Sequence, residues 1–452
     1  AATGALTLNA GDVDNTGGLI ASHDALTART TTFTNARGTV GSSAGTAELI
    51  TRAFDNTAGT LSAARLSLDT QGQRITNTAG QMVAFSDALQ VKGGALHNDG
   101  GLIQSAQNLT LAATDVSNTG TIYARGSAAM SASGGMENRG VIAAAADTRI
   151  DASAFYGTSN SVLAAGLAPE GSLGPRGNLN LSTSKELINS GQILSGGDQT
   201  LRAAQIDLSG AQLSGHHVSL AAHAADLTLT GATLAARGTV DLNAAATVRT
   251  DRAQVSADQL HLSAHDLSNR QGQILQLGAG DLTLRLPGAL DNQGGRIAAN
   301  ARNIAISAST VDTTGGTLQH AGTGTFSLTA DALTGSGATL QSNGALDLAA
   351  HQLTLDHATT TANALRLTAQ TFNHQAGTLL QTGTGTALIQ AEALDNSGGQ
   401  ITSSGSLQLT TGALLNRSAT LQAAGGPLVL NAGDVDNTAG LIAARDALTA
   451  RT

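Results

Sequence analysis

The chain has 452 residues, with 55 glycines, 4 prolines, no cysteine, a net charge of −9, 2% aromatic and 12% charged residues. The lack of cysteine excludes disulfides and thiolate metal sites. The scattered basic residues leave no nucleic-acid footprint, no apolar run reaches the roughly 20 residues that span a bilayer, and so few aromatic and ionisable side chains argue against a deep catalytic pocket.

The N-terminus, Ala1-Ala2-Thr3-Gly4-Ala5-Leu6, has no basic segment followed by an apolar core, so no signal peptide is expected. It begins in mid-pattern, as an excerpt from a longer protein would. From there to about residue 145 one phrase recurs. Asn15, Asn35, Asn56, Asn77, Asn98, Asn118 and Asn138 are evenly spaced, and each opens a segment such as Asn56-Thr-Ala-Gly-Thr-Leu-Ser-Ala63. Their period, about 20 residues, marks a solenoid whose units bury their apolar faces only by stacking.

Within a unit the apolar residues alternate, as in a strand: Ile103 and Ser105, then Leu109 and Leu111, then Val116 before Asn118. Three short strands with Gly- or Asn-containing corners account for one unit. The expected fold is all-β, a right-handed parallel β-helix (β-solenoid) of about 20 coils of 20–21 residues. A leucine-rich repeat has a similar period but needs a helical segment where this chain carries Gly and Thr. The asparagines are expected to form a corner ladder of amides along the axis, and the glycine two or three places later is expected to supply a positive φ.

Residues 146–180 interrupt the rhythm, because Asn138 and Asn189 are 51 residues apart. The gap fits two coils plus about ten residues, or one coil plus a loop of about thirty. It holds Pro169 and Pro175, which cannot donate to a ladder, and a surface excursion is expected. Phe155 and Tyr156 also lie there and form a candidate partner-binding loop, since an exposed aromatic pair can stack on a sugar ring or a partner protein.

Coils resume over 181–427 with weaker corners. Asn189, Asn269, Asn292, Asn396, Asn416 and Asn437 keep the phrase, and Gly-x-x-Leu replaces it elsewhere, as in Gly231-Ala-Thr-Leu234. Residues 428–452 begin a second copy of a longer unit, since 430–452 match 8–30 at 20 of 23 positions with an offset of 422.

The Asn-x-x-Gly-x-Ile/Leu-x-Ala/Ser coil, the Leu-x-Leu-x-Ala strand after it, and the passage Ala165-Gly-Leu-Ala-Pro-Glu-Gly-Ser-Leu-Gly-Pro-Arg-Gly-Asn-Leu-Asn-Leu181 resemble the filamentous haemagglutinin family of two-partner-secretion exoproteins. The resemblance implies a structural shaft of a large secreted or cell-surface adhesin that mediates attachment. It also implies an outer-membrane transporter as partner, acting through an N-terminal domain not in this sequence, and a receptor or glycan on a host or neighbouring cell. The alternative within the family is the stick of a contact-dependent growth-inhibition toxin. Outside it stands a glycan-cleaving β-helix enzyme, which would need converging carboxylates; Asp12, Asp14 and Asp24, or Asp55, Asp69 and Asp87, are the candidates. The histidine groups His216-His217 with His223, His261 with His265, and His351 with His357 lack helical spacing and do not recur once per coil, so they read as surface residues. No catalytic residue, metal site or cofactor is expected.

Overall fold

The computed structural model describes residues 2–451. The chain divides into two compact units, the first running to Ala225 and the second starting at Asp226. Each is a parallel β-solenoid, and the chain makes about 22 turns in all. Among the described residues no helix is long and apolar enough to cross a membrane.

The first coils of unit one show the plan. Strands Leu6–Asn9, Asp12–Asp14 and Leu19–Ser22 are followed by Leu26–Arg29, Thr32–Thr34 and Thr39–Ser42. Each strand pairs in parallel with its counterpart one coil later: Leu6 with Leu26, Val13 with Phe33, Ile20 with Val40. A one-residue slip would turn every buried side chain outward, so the alternating pattern pins the register. The inward residues stack into columns. One runs Val40, Leu61, Met82, Ile103, Ile122, Ile142, Leu163, all 0% exposed. Phe33 and Phe54 stack in another, with ring centroids 6.0 Å apart. Each such side chain contributes about 1.5–3 kcal/mol on burial before chain entropy is subtracted.

Two positions after the aliphatic column the residues turn small, as in Ala63, Ala84, Ser105 and Ala124, because the chain bends tightly there. Buried serines at this bend donate to nearby carbonyls, Ser105 to Asn108 O (2.9 Å) and Ser195 to Gly197 O (2.9 Å). In some coils of unit two a larger polar residue takes the place. Gln381 accepts from the Leu365 N–H (2.9 Å) and donates to Gly385 O (2.7 Å), and Gln276 does the same for Leu260 and Gly280. There the strands also run together through the corners, as in Thr339–Thr354 and Thr359–Asn373, with a register shift between Ser342 and Ala345 absorbing the bend.

The interruption is narrower than the sequence suggested. Strands Thr148–Gly157 and Val162–Ala165 pair in parallel with Ala128–Asn138 and Val141–Ala144, with one register shift between Ala132 and Gly135. The chain leaves the sheet only after Ala165 and rejoins at Leu179, opposite Thr148. Val162 pairs with Gln192, and Gln192 in turn with Gln212. The coil that opens at Val162 is therefore the longer by ten positions, and the gap is two coils plus that insertion. The excursion is ordered. Leu167 and Leu173 form an antiparallel bridge, and the Gly174 N–H donates to Gly166 O (2.8 Å). Beneath it Tyr123 packs on Ala143 and Ala164, and its hydroxyl donates to Leu167 O (3.0 Å).

Candidate functional site

The corner that opens each coil carries the most regular polar structure in the chain. From Asn15 to Asn138 each side-chain amide donates to Oδ1 of the asparagine one coil on, over 2.7–2.9 Å in six successive bonds. The same nitrogen reaches a backbone carbonyl of the next coil, as from Asn56 to Gln81 O (3.0 Å). Asn35 through Asn138 are almost wholly buried, and a buried amide without partners would cost about 1–3 kcal/mol.

The run stops at Gly157, the register partner of both Asn138 and Asn189. Asn138 donates instead to Val162 O (3.1 Å), while Asn189 accepts from Ser161 Oγ (3.1 Å) and its Nδ2 has no partner. In unit two the asparagines form two shorter runs. Thr250 Oγ1 donates to Asn269 (2.9 Å), Asn269 to Asn292 (2.7 Å) and Asn292 to Thr313 Oγ1 (3.1 Å). Further on, His374 Nδ1 lies 2.8 Å from Asn396 Oδ1, Asn396 donates to Asn416 (2.8 Å), and Asn416 to Asn437 (2.6 Å). Where the amide is missing the corner can be apolar. Leu208, Leu229 and Leu355 occupy it fully buried, each followed three residues later by a buried alanine. Sequence reading passed over these leucines; the paired change from Asn…Gly to Leu…Ala was the signal.

The two glycine positions do different work. After Asn15, Asn35, Asn56, Asn77, Asn98 and Asn416 a positive φ falls two residues on, and Arg37, Ala58, Ala79 and Ser418 adopt it as well as Gly17 and Gly100. After Asn35, Asn56, Asn77 and Asn98 the third residue is glycine for want of space, whereas Ala419 takes that place after Asn416. A Cβ on Gly59 would lie 2.0 Å from Asn35 O, and one on Gly80 2.0 Å from Asn56 O. The expectation that either glycine serves the turn dihedral is corrected in this respect.

An aspartate before the corner completes the turn. Asp14, Asp55, Asp395 and Asp436 each accept from the backbone N–H two residues later (2.9–3.0 Å), the Asx-turn geometry of a tight corner. The Thr438 hydroxyl and N–H, with Arg417, hold the Asp436 carboxyl down to about 2. Thr16 lowers Asp14 in the same way. Burial pushes Asp395 upward, but its hydrogen bonds to Ser397 and Gln375 outweigh this and leave it low.

The catalytic candidates are likewise engaged in local bonds rather than converging. Asp12 accepts from Thr32 (2.7 Å), Asp69 from the Gln71 N–H (2.7 Å), and Asp87 pairs with Arg65 (2.9 Å). A groove of about 930 Å³ lies in unit two beside Ala350, Thr368, Gln390 and Glu392, and no Lys or Arg lines it among the described residues.

Phe155 and Tyr156 do not form a loop. Both lie in strand Thr148–Gly157, where Phe155 is 0% exposed between Met136 and Leu187, and Tyr156 faces outward with its hydroxyl on the Glu186 carboxylate. The binding assignment fails for Phe155 because an inward strand position buries it.

The histidines find partners across coils. His261 lies 2.8 Å from Asp241 and His351 3.3 Å from Asp331, the aspartate in each case belonging to the preceding coil. His265 meets its neighbour Asp266 (3.0 Å). His216 and His217 approach Asp198 of the preceding coil, with all three ligand atoms within 4.8 Å of one another.

The haemagglutinin repeat matches residues 1–73, 73–126, 108–168, 170–220, 215–285 and 277–350. The chain belongs to the haemagglutinin repeat family. Among curated proteins, Toxin CdiA of Yersinia pestis is 35% identical over 190 residues, which are 42% of this chain and 6% of that protein. This chain therefore spans only a small fraction of that relative's length. No solved structure matches it.

Proposed function

We propose that the chain is a shaft segment of a secreted, surface-exposed bacterial exoprotein, exported through an outer-membrane transporter and mediating attachment to a cell or surface. The observation that carries this reading is the corner itself. Its polar groups are turned to neighbouring coils, Asn56 to Asn77 and Asn396 to Asn416, which suits a stacking element and leaves little chemistry for a substrate. The asparagines at positions 15 to 138, 189, 396, 416 and 437 would then act structurally, holding corners in register. No residue is assigned a catalytic role and no cofactor is invoked.

The similarity to Toxin CdiA favours a second reading, in which the same shaft projects a growth-inhibiting toxin toward a neighbouring bacterium. An epitope inserted between Gly171 and Ser172, in the ordered excursion, tests exposure. Antibody should label intact cells producing the whole exoprotein; labelling only after lysis would contradict the proposal. Comparing attachment with growth inhibition of a co-cultured strain separates the two roles.

A further inference from the structure

Asp198 and the pair His216-His217 sit at equivalent corners of adjacent coils in unit one. Asp198 falls between strands Gln192–Ser195 and Gln199–Ala203, and the histidines between Gln212–Gly215 and Val218–Ala222. In a strand, consecutive residues face opposite ways. At this bend they do not, and the two imidazole rings lie 4.1 Å apart, inclined at 71°. The backbone fixes the two corners against each other. The His216 N–H donates to Gly197 O (2.8 Å) and the Gln199 N–H to His217 O (2.8 Å), while the Asp198 N–H is anchored on Asn178 Oδ1 (2.9 Å).

His216 Nδ1 stands 3.4 Å from Asp198 Oδ1. Zinc bonds of about 2.0–2.1 Å in a tetrahedron place neighbouring ligand atoms roughly 3.3 Å apart. That pair already has the spacing, and the third ligand atom, on the partly buried His217, lies within 4.8 Å of both. Asp198 and His216 are about half exposed, so a cation can enter from solvent.

We propose that Asp198, His216 and His217 form a binding site for a first-row divalent metal of the zinc class, with water completing the coordination. Two imidazoles and one carboxylate suit Zn²⁺, whereas Ca²⁺ and Mg²⁺ require more oxygen ligands. The other exposed pairs, His261 with Asp241 and His351 with Asp331, each bring one imidazole to one carboxylate. They serve as internal controls. The metal clips two neighbouring coils together at a corner that lies outside the asparagine ladder.

The test is calorimetric titration of ZnCl₂ into the full 452-residue chain, prepared without a histidine tag, at pH 7.5. One saturable equivalent is expected. His216→Ala, His217→Ala and Asp198→Asn should each weaken it tenfold or more with unchanged far-UV circular dichroism, while His261→Ala leaves it intact. Absence of saturable binding, affinity unaffected by the three substitutions, or equal binding of CaCl₂ would overturn the assignment.

Discussion

The amide of Asn56 donates to Oδ1 of Asn77 across one coil, over 2.8 Å, and both side chains are fully buried. Removing a middle member strands its neighbours on either side. Asn77→Ala is therefore expected to destabilise the first unit by about 1–3 kcal/mol. Asn189→Ala should cost less, because the Asn189 Nδ2 already lacks a partner. Urea unfolding of the two variants checks the order; equal losses would argue against cooperation along the run.

The two corner glycines give a sharper contrast. Gly100 has φ +61 with open space around its missing Cβ, whereas a Cβ on Gly80 would overlap Asn56 O at 2.0 Å. Gly100→Ala should cost about 1–2 kcal/mol for the left-handed backbone. Gly80→Ala should cost more than about 4 kcal/mol, in the range reserved for direct steric conflict. Thermal melts suffice to rank them.

Phe155 and Tyr156 separate core from surface within one dipeptide. Phe155→Ala is expected to destabilise by about 3–5 kcal/mol through the cavity it leaves. Tyr156→Ala, at an exposed position, should stay within about 0.5 kcal/mol. Similar losses in denaturant titrations would show that the strand is not placed as described.

Buried His374 makes unit two sensitive to pH. Burial lowers its pKa below the ordinary 6.5, with the Asn396 hydrogen bond opposing in part, and Nε2 has no partner. The folded state therefore disfavours the proton. This stabilisation is complete above about 6.5 and declines as the pH falls from there, because only the unfolded chain protonates. His374→Asn, with Gly377 already making room, should give a melting temperature that falls less than the native one between pH 7.5 and 5.5.

The period, the three strands and the inward columns were legible in the sequence because each is a local rule repeated along the chain. Ile103, Leu109 and Val116 could be assigned inward from alternation alone, and burial agrees. What escaped depends on which residues become neighbours one coil away. Asp241 meets His261 only through strand register, and Asp198 meets His216 only where two corners stack. Phe155 was misplaced because prolines at 169 and 175 made the whole stretch look irregular, although the chain leaves the sheet only after Ala165. The tight contact at Gly59 and Gly80 is likewise set by the coil beneath.

A shaft of stacked coils, each in contact only with its neighbours, should tolerate the loss of one. The most direct test is deletion of Thr78–Asn98, one whole coil, from the intact exoprotein on producing cells, scored by attachment and growth inhibition. The deletion joins Asn77 to Asn118 in the amide run and shortens the stack by about 4.8 Å, so the fold and whichever activity the exoprotein has should persist. Loss of that activity with the β-sheet signal retained would instead place a recognition site within the coil and rule out a purely structural role for it.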